Sequence, residues 1–340
     1  MKYPFFIVFI SAFAFTSCFR EDTLLPPYQP DPEIKQIIIP MAEEDDIVGV
    51  VFKNQVFFEF ETGLTHTVKR DIWDIAFETT PEGYHVMLNG ANYMEAANAG
   101  LVAFGTAFTQ EDMDNYSFDF DASTGNLDST VIGEWLDRET GLSHGDVFLI
   151  NRGFDGSLQE RGYIKFQLLW AKNDTVAFQY GDLENQLSYT AEVYVGDQTT
   201  NFVYFSFETN EPVQVGPPKT DWDLCFTYYS YRYPDGIPYW LTGALANRYQ
   251  VRTAEVQDSS MVFETLTLAD TSRFKMTKAI DEIGFDWKEY LFGPPARYVV
   301  YSDRIFILQD NRGIYYKLRF LDFYNDKGQR GFPTFEYAEL

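Results

Sequence analysis

The feature that most limits what this chain can fold into is a long-range internal match. Phe57-Phe58-Glu59-Phe60-Glu61-Thr62 returns as Tyr204-Phe205-Ser206-Phe207-Glu208-Thr209, and Trp73-Asp74-Ile75-Ala76-Phe77 returns as Trp222-Asp223-Leu224-Cys225-Phe226. The order continues: Asp146-Val147-Phe148-Leu149-Ile150 matches Arg304-Ile305-Phe306-Ile307-Leu308, Tyr163-Ile164-Lys165-Phe166 matches Tyr315-Tyr316-Lys317-Leu318, and Phe178-Gln179-Tyr180 matches Phe335-Glu336-Tyr337. The two Trp-Asp pairs stand 149 residues apart, well beyond the roughly 20–50-residue periods of solenoids and propellers, so a whole domain is expected twice. The boundary is placed near residue 187.

Most matched segments alternate apolar with polar residues, as in Ile164-Lys165-Phe166-Gln167-Leu168 and Tyr316-Lys317-Leu318-Arg319-Phe320, which is the period of a half-buried strand. Asn311-Arg312-Gly313 reads as a hairpin turn, and Asn325-Asp326-Lys327-Gly328 precedes the last strand. With 32 Phe, 23 Tyr and 6 Trp, the composition favours strands. The expectation is an all-β, mainly antiparallel chain of two tandem domains with few short helices. Helical signal is thin: Asn92 to Val102 is Ala-rich without a stripe, and Thr277 to Leu291 is expected to hold one short helix.

The amino terminus reads as an export signal. Lys2, the apolar run Pro4 to Phe15 and Thr16-Ser17 lead to Cys18, a pattern of basic start, short apolar core and small residues before a cut. A Cys at the junction resembles a bacterial lipobox, which predicts acylation of Cys18, and Arg20-Glu21-Asp22 resembles a surface-export signal. The expected organisation is a signal peptide over 1–17, a lipidated Cys with an acidic, Pro-rich tether over 18–45, a first repeat over 46–186 and a second over 187–340. The chain is then expected on the outer membrane, held by lipid alone and facing outward. Cys225 is the other thiol and is expected as a small buried hydrophobe.

Charge and motifs exclude several functions. Against 26 Lys and Arg stand 51 Asp and Glu, a net −25 that would repel a phosphate backbone, so nucleic acid is not a partner. Two Cys and three His cannot build a Cys-rich zinc site or a multi-metal centre, and at most one simple metal-linked site is expected. Gly141-Leu142-Ser143-His144-Gly145 fits a nucleophile elbow in letters, but a strand follows where a helix is needed. Asp119-Phe120-Asp121 lacks the Gly and Glu positions of a calcium loop. No catalytic constellation emerges, and no enzyme is expected.

The Phe-x-Phe-x-Thr strand, the Trp-Asp-Ile-Ala-Phe strand and the stretch from Tyr315-Tyr316-Lys317-Leu318-Arg319-Phe320 through Gly331-Phe332-Pro333-Thr334-Phe335-Glu336-Tyr337 resemble the HmuY family, haem-binding lipoproteins of Bacteroidetes. The second repeat carries this resemblance more fully than the first. It implies a β fold, anchoring through an acylated Cys, and capture of haem or a related tetrapyrrole for an outer-membrane receptor, with two axial His or Met ligands. On the residues, His144 and Met113 are the candidate pair in the first repeat; His85 with Met87, on one face of a predicted strand, is a rival pair. The second repeat offers Met261, aligned with Met113, and Met276, with Gly293-Pro294-Pro295 where His144 would align. His66 is expected to be solvated in a turn. Arg152, Arg161 and Lys165 are the candidates for haem propionates. The alternative is an adhesion or receptor-partner module that binds protein or glycan through Tyr228-Tyr229-Ser230-Tyr231 and Pro238-Tyr239-Trp240; exposure of that tract would favour it.

Overall fold

The computed structural model describes residues 30–43, 51–79 and 84–340; the signal segment 1–17 and Cys18 lie outside them. The strands of the first half are β1 (Lys35–Ile38), β2 (Asn54–Phe58), β3 (Thr65–Lys69), β4 (Ile75–Glu78), β5 (Val86–Leu88), β6 (Glu95–Gly100), β7 (Leu136–Asp137), β8 (Leu142–Ser143), β9 (Val147–Asn151), β10 (Tyr163–Lys172) and β11 (Thr175–Gly181). The second half contributes β12 (Ser188–Tyr194), β13 (Phe202–Ser206), β14 (Glu211–Val213), β15 (Leu224–Arg232), β16 (Pro238–Ala246) and β17 (Arg252–Glu255). It ends with β18 (Lys288–Leu291), β19 (Arg297–Val300), β20 (Phe306–Gln309), β21 (Tyr315–Tyr324) and β22 (Arg330–Glu339). Every pairing is antiparallel, and among the described residues the only helices are short 3-10 turns. This is the all-β architecture expected from the alternation. The helix expected within Thr277–Leu291 is replaced by coil and by β18, and the Ala-rich segment forms β6, whose central residues insert into the core.

Strands that match in sequence also match in pairing. β12-β11-β10-β9-β6 has the same neighbours as β1-β22-β21-β20-β17, and β14-β13-β4-β5 the same as β3-β2-β15-β16. The partners, however, cross the expected boundary. β2 pairs β15, β13 pairs β4 and β1 closes the edge of β22. Residue 187 falls in the turn of the β11–β12 hairpin, so the chain leaves β11 and folds straight back onto it. That closure spans a few residues, whereas bringing β1 to the same edge would close a loop of well over a hundred, at a larger entropic cost.

The cores follow the strands. One contains Ile75, Phe77, Phe148, Ile150, Phe166, Phe178, Phe205 and Phe207. The other joins Ile39, Met41, Phe52, Phe58 and Phe60 to Phe226, Trp287, Leu318, Phe320 and Phe335. The tether expected to run to residue 45 therefore stops short of the fold: Lys35–Ile38 is a strand, and Ile39, Met41 and Ala42 are buried. Ile37, Ile38 and Ile39 supply the apolar, β-branched run that the Pro- and acid-rich residues before them lack.

The Trp-Asp pairs pin these exchanges. Asp74 Oδ2 accepts from the Phe207 amide at 2.8 Å and Asp223 Oδ2 from the Phe60 amide at 2.9 Å. Asn89 Nδ2 then donates to the Arg70 and Trp73 carbonyls, and Asn247 Nδ2 to those of Lys219 and Trp222, all at 2.8 Å. The two buried carboxylates differ in their charges. Arg152 and Arg161 both reach Asp74, at 3.1 and 2.8 Å. One residue beyond β20, where Arg152 follows β9, stands Asp310. Burial, with Asp310 and Glu59 nearby, pushes the Asp223 carboxyl up to about 7.

Opposite outcomes follow for one substitution at the two sites. Asp74→Asn strands the buried Arg161 and leaves Arg152 only the exposed Glu208, and should cost roughly 3–5 kcal/mol. Asp223 behaves otherwise. Its folded pKa lies above the ordinary 3.8, so its stability contribution is complete below that value and is lost as pH rises toward 7. Asn keeps the acceptor for Phe60, so Asp223→Asn should match wild type in urea melts near pH 4 and exceed it at pH 8; a gap independent of pH would contradict this.

Candidate functional site

A cleft of about 540 Å³ lies in the carboxy-terminal half between the β15–β16 hairpin and the β18–β19 hairpin. Both hairpins outgrow their counterparts. β15 and β16 have nine residues each against four and three in β4 and β5, and β18 and β19 four each against two in β7 and β8. The extra length carries aromatic residues out beyond the core, where they face one another.

On the first wall, strand alternation puts Tyr228 and Trp240 on one face, stacked with ring centroids 4.3 Å apart. Behind them the buried Arg70 guanidinium lies 5.0 Å from the Trp240 ring. Arg70 donates to the carbonyls of Phe52, Ala91, Phe154 and Asp155, so this cation is consumed in fixing the wall. The Trp240 indole N–H is buried and has no hydrogen-bond partner. Tyr233 packs edge-on against Tyr239 and near Phe285. On the opposite wall Tyr290 meets both Phe292 and Tyr298, with centroids 5.0 and 4.9 Å away. Phe292 is 91% exposed and Tyr239 48%, so the rim is apolar and open.

Lys288 enters the cleft from β18 while almost wholly buried. Its Nζ donates to the Thr242 carbonyl at 2.5 Å and lies 4.3 Å from the Trp287 ring. Burial pulls the ammonium down to about 7, with Asp286 offsetting only part of the lost hydration. Arg330 also lines the cleft, with Asp286 and Glu289. Glu289 accepts from the Tyr301 hydroxyl and holds that phenol above its usual range. Apolar walls with a few polar groups and a volume within the usual range describe a small-molecule site.

The residues expected from sequence as ligands lie elsewhere. His144 is exposed between β8 and β9, its amide donating to the Trp135 carbonyl at 2.8 Å. Met113 is buried in the 3-10 turn Gln110–Asn115, packed with Phe108, Leu149 and Leu183. Neither lines the aromatic cleft. The alignment of both residues is corrected by the structure: Tyr301 donates to the Trp287 carbonyl as His144 does to Trp135, so Tyr301 rather than Gly293-Pro294-Pro295 occupies the His144 place, and it lines the cleft. Likewise the capping box Thr109–Asp112 recurs as Thr267–Asp270, which sets Thr271, and not Met261, opposite Met113. Met261 and Met276 pack beside Phe263 and Ile305, outside the cleft. Met87 lines a separate cavity of about 150 Å³ between the two four-stranded sheets, with Trp73, Tyr204, Trp222 and the buried, unpaired Cys225. Burial pushes that thiol up to about 12, as suits a small hydrophobe. His85 bonds Glu78. His66 is exposed, on β3 rather than in a turn.

The expected propionate partners are spent on the fold. Arg152 and Arg161 hold Asp74, and Lys165 is buried with its Nζ on the Phe104 and Thr106 carbonyls, at 3.0 and 2.9 Å. Lys317 repeats this on the Phe263 and Leu266 carbonyls. The Tyr-rich tract is divided: Tyr229 is core, Tyr228 and Trp240 form the wall, and Tyr239 is rim. Sequence reasoning missed Lys288, Tyr290, Tyr298 and Tyr301; the signal for the first two was the alternation Lys288-Glu289-Tyr290, hidden in a stretch read as helix.

Comparisons with known proteins place this cleft in a family context. No curated protein matches the chain. Among solved structures, it is similar to the apo HmuY analogue of Tannerella forsythia, at 11% identity over 91% of this chain and 97% of that one, with a TM-score of 0.31. It is also similar to apo PinO from Porphyromonas gingivitis, at 10% identity over 91% and 97%, TM-score 0.26. A protein from Bacteroides vulgatus described as an HmuY-like heme binding protein matches at 12% identity over 48% and 91%, TM-score 0.21. At these scores the solved structures add no argument to the fold described above. The sequence carries more: residues 198–337, which include every cleft-lining residue except Phe52, match the family model of HmuY protein.

Proposed function

We propose that the chain is a binding protein for haem or a related tetrapyrrole, taken into the aromatic cleft of the carboxy-terminal half. The observation that carries this is the coincidence of an aromatic cleft of about 540 Å³ with the family-matched residues. Tyr228, Trp240, Tyr290 and Tyr298 would flank a planar apolar ring, and Lys288 and Arg330 are the cations within reach of carboxylates. The lining holds no His, Met or Cys, so a low-spin His/Met iron is not expected there; Tyr is the available oxygen donor. Acylation at Cys18 would tether this cleft to the outer membrane, and delivery to a receptor there would follow. The exposed Phe292 and Tyr239 favour a second reading, in which the rim docks a protein or glycan.

Haem titration of residues 19–340 tests the reading. It should give saturable binding at about one haem per chain with a high-spin ferric spectrum. Trp240→Ala should weaken it about tenfold, near 1.4 kcal/mol, and His144→Ala should leave it unchanged. Non-saturating binding would sink the haem reading and leave the rim as a docking surface; a low-spin spectrum lost in His144→Ala would move the ligand to the other half.

Lys288 supplies a pH test. Its folded pKa is about 7 against an ordinary 10.5, so stability from this group is present at high pH and is lost as pH falls through 7. Lys288→Met should therefore gain more stability over wild type at pH 6 than at pH 9. Equal gains would show that the ammonium is not desolvated. For the anchor, Cys18→Ser should shift the protein from the membrane to the soluble fraction of cells, and unchanged fractionation would rule out acylation there.

A further inference from the structure

Away from the cleft, three side chains from separate segments converge at the edge of the β4–β5 hairpin. His85 leads into β5, Asp128 lies in the 3-10 turn Leu127–Ser129, and Glu134 precedes β7. One donor atom from each lies within 4.8 Å of the others. Trp135 Nε1 donates to the Tyr84 carbonyl at 2.6 Å and so holds the Glu134 segment beside His85.

The imidazole is already oriented. Glu78, across the hairpin, meets His85 Nδ1 at 2.5 Å, and the two side chains are only 10% and 16% exposed. A carboxylate on Nδ1 places a proton there and leaves Nε2 with its lone pair outward. Nε2 is shielded from solvent and has no hydrogen-bond partner. It faces Asp128 Oδ1 at 3.6 Å, too long for an N–H···O bond. A lone pair directed at two carboxylates is repulsive unless a positive charge lies between them. The spacing indicates which charge. Ligands about 2.0–2.2 Å from a shared zinc ion sit roughly 3–4 Å from one another; His85 Nε2 and Asp128 Oδ1 stand 3.6 Å apart, with a Glu134 oxygen within 4.8 Å.

We infer that His85, Asp128 and Glu134 form a site for one divalent transition-metal ion of the zinc class, with Glu78 as the positioning residue that sets the imidazole tautomer. One imidazole nitrogen and two carboxylates suit that borderline ion, and water would complete the coordination. Asp128 and Glu134 are 83% and 65% exposed, which leaves an open approach from solvent. Arg138, 3.6 Å from Glu134 and itself half exposed, is the competing cation. Occupancy would fasten the segment around 127–136 to the β4–β5 hairpin.

The test is a Zn²⁺ titration of the metal-stripped full chain by calorimetry, with Co²⁺ absorption as the spectroscopic probe. One ion per chain should bind and raise Tm. His85→Ala should weaken binding at least a hundredfold. Asp128→Asn, at an exposed position that cannot unfold the protein, should weaken it at least tenfold, and His66→Ala and His144→Ala should leave it unchanged. Glu78→Gln should keep the one-ion stoichiometry and shift the Co²⁺ band; an unshifted band at unchanged affinity would remove Glu78 from the site. No saturable binding, or binding that survives both His85→Ala and Asp128→Asn, would overturn the inference and assign the cluster to a protonated imidazole.

Discussion

A buried carboxylate that accepts an amide proton from a strand far away in sequence is what the remaining structure depends on. Asp74 holds Phe207 and Asp223 holds Phe60, and each bond fastens an amino-proximal arm of one half onto the core of the other. Without the fasteners, β13 and β2 would still present apolar faces to the right cores, but their register would rest on side-chain packing alone. The exchange explains why Phe58 and Phe60 belong with Phe226 and Phe335, and Phe205 and Phe207 with Phe166 and Phe178.

Within this matched frame, function resides in the differences. The Asp74 pocket contains two arginines, whereas Asp223 faces Asp310. The hairpins that are short in one half are extended in the other, where they enclose an aromatic cleft with a desolvated lysine at its base. The cations that sequence offered to a ligand, Arg152, Arg161 and Lys165, are instead committed to Asp74 and to carbonyls, and so is the buried Arg70 to carbonyls. In a chain with a net charge of −25, this leaves Lys288 and Arg330 as the positive groups that face the cleft.

Much of the fold was legible in the sequence because strands announce themselves by period two. The matched pairs Tyr163–Phe166 with Tyr315–Leu318, and Phe178–Tyr180 with Phe335–Tyr337, occupy matching registers. Pairing across residue 187 was not legible, since alternation defines which face a residue takes and says nothing about which strand lies beside it. The site was less legible still. His144 and Met113 drew attention by residue type, yet the type of a side chain does not reveal its exposure: one is on the surface and the other fills a core gap. Lys288 gave no such signal, because a lysine in a strand is usually solvated, and its burial follows from Trp287, Phe323 and Thr242 closing around it.

Amide hydrogen exchange on the full chain, with and without haem, tests the central claim most directly. Binding in the aromatic cleft predicts added protection in residues 228–242 and 285–301 and little change elsewhere. Protection confined to residues 108–116 and 142–147, around Met113 and His144, would contradict the account.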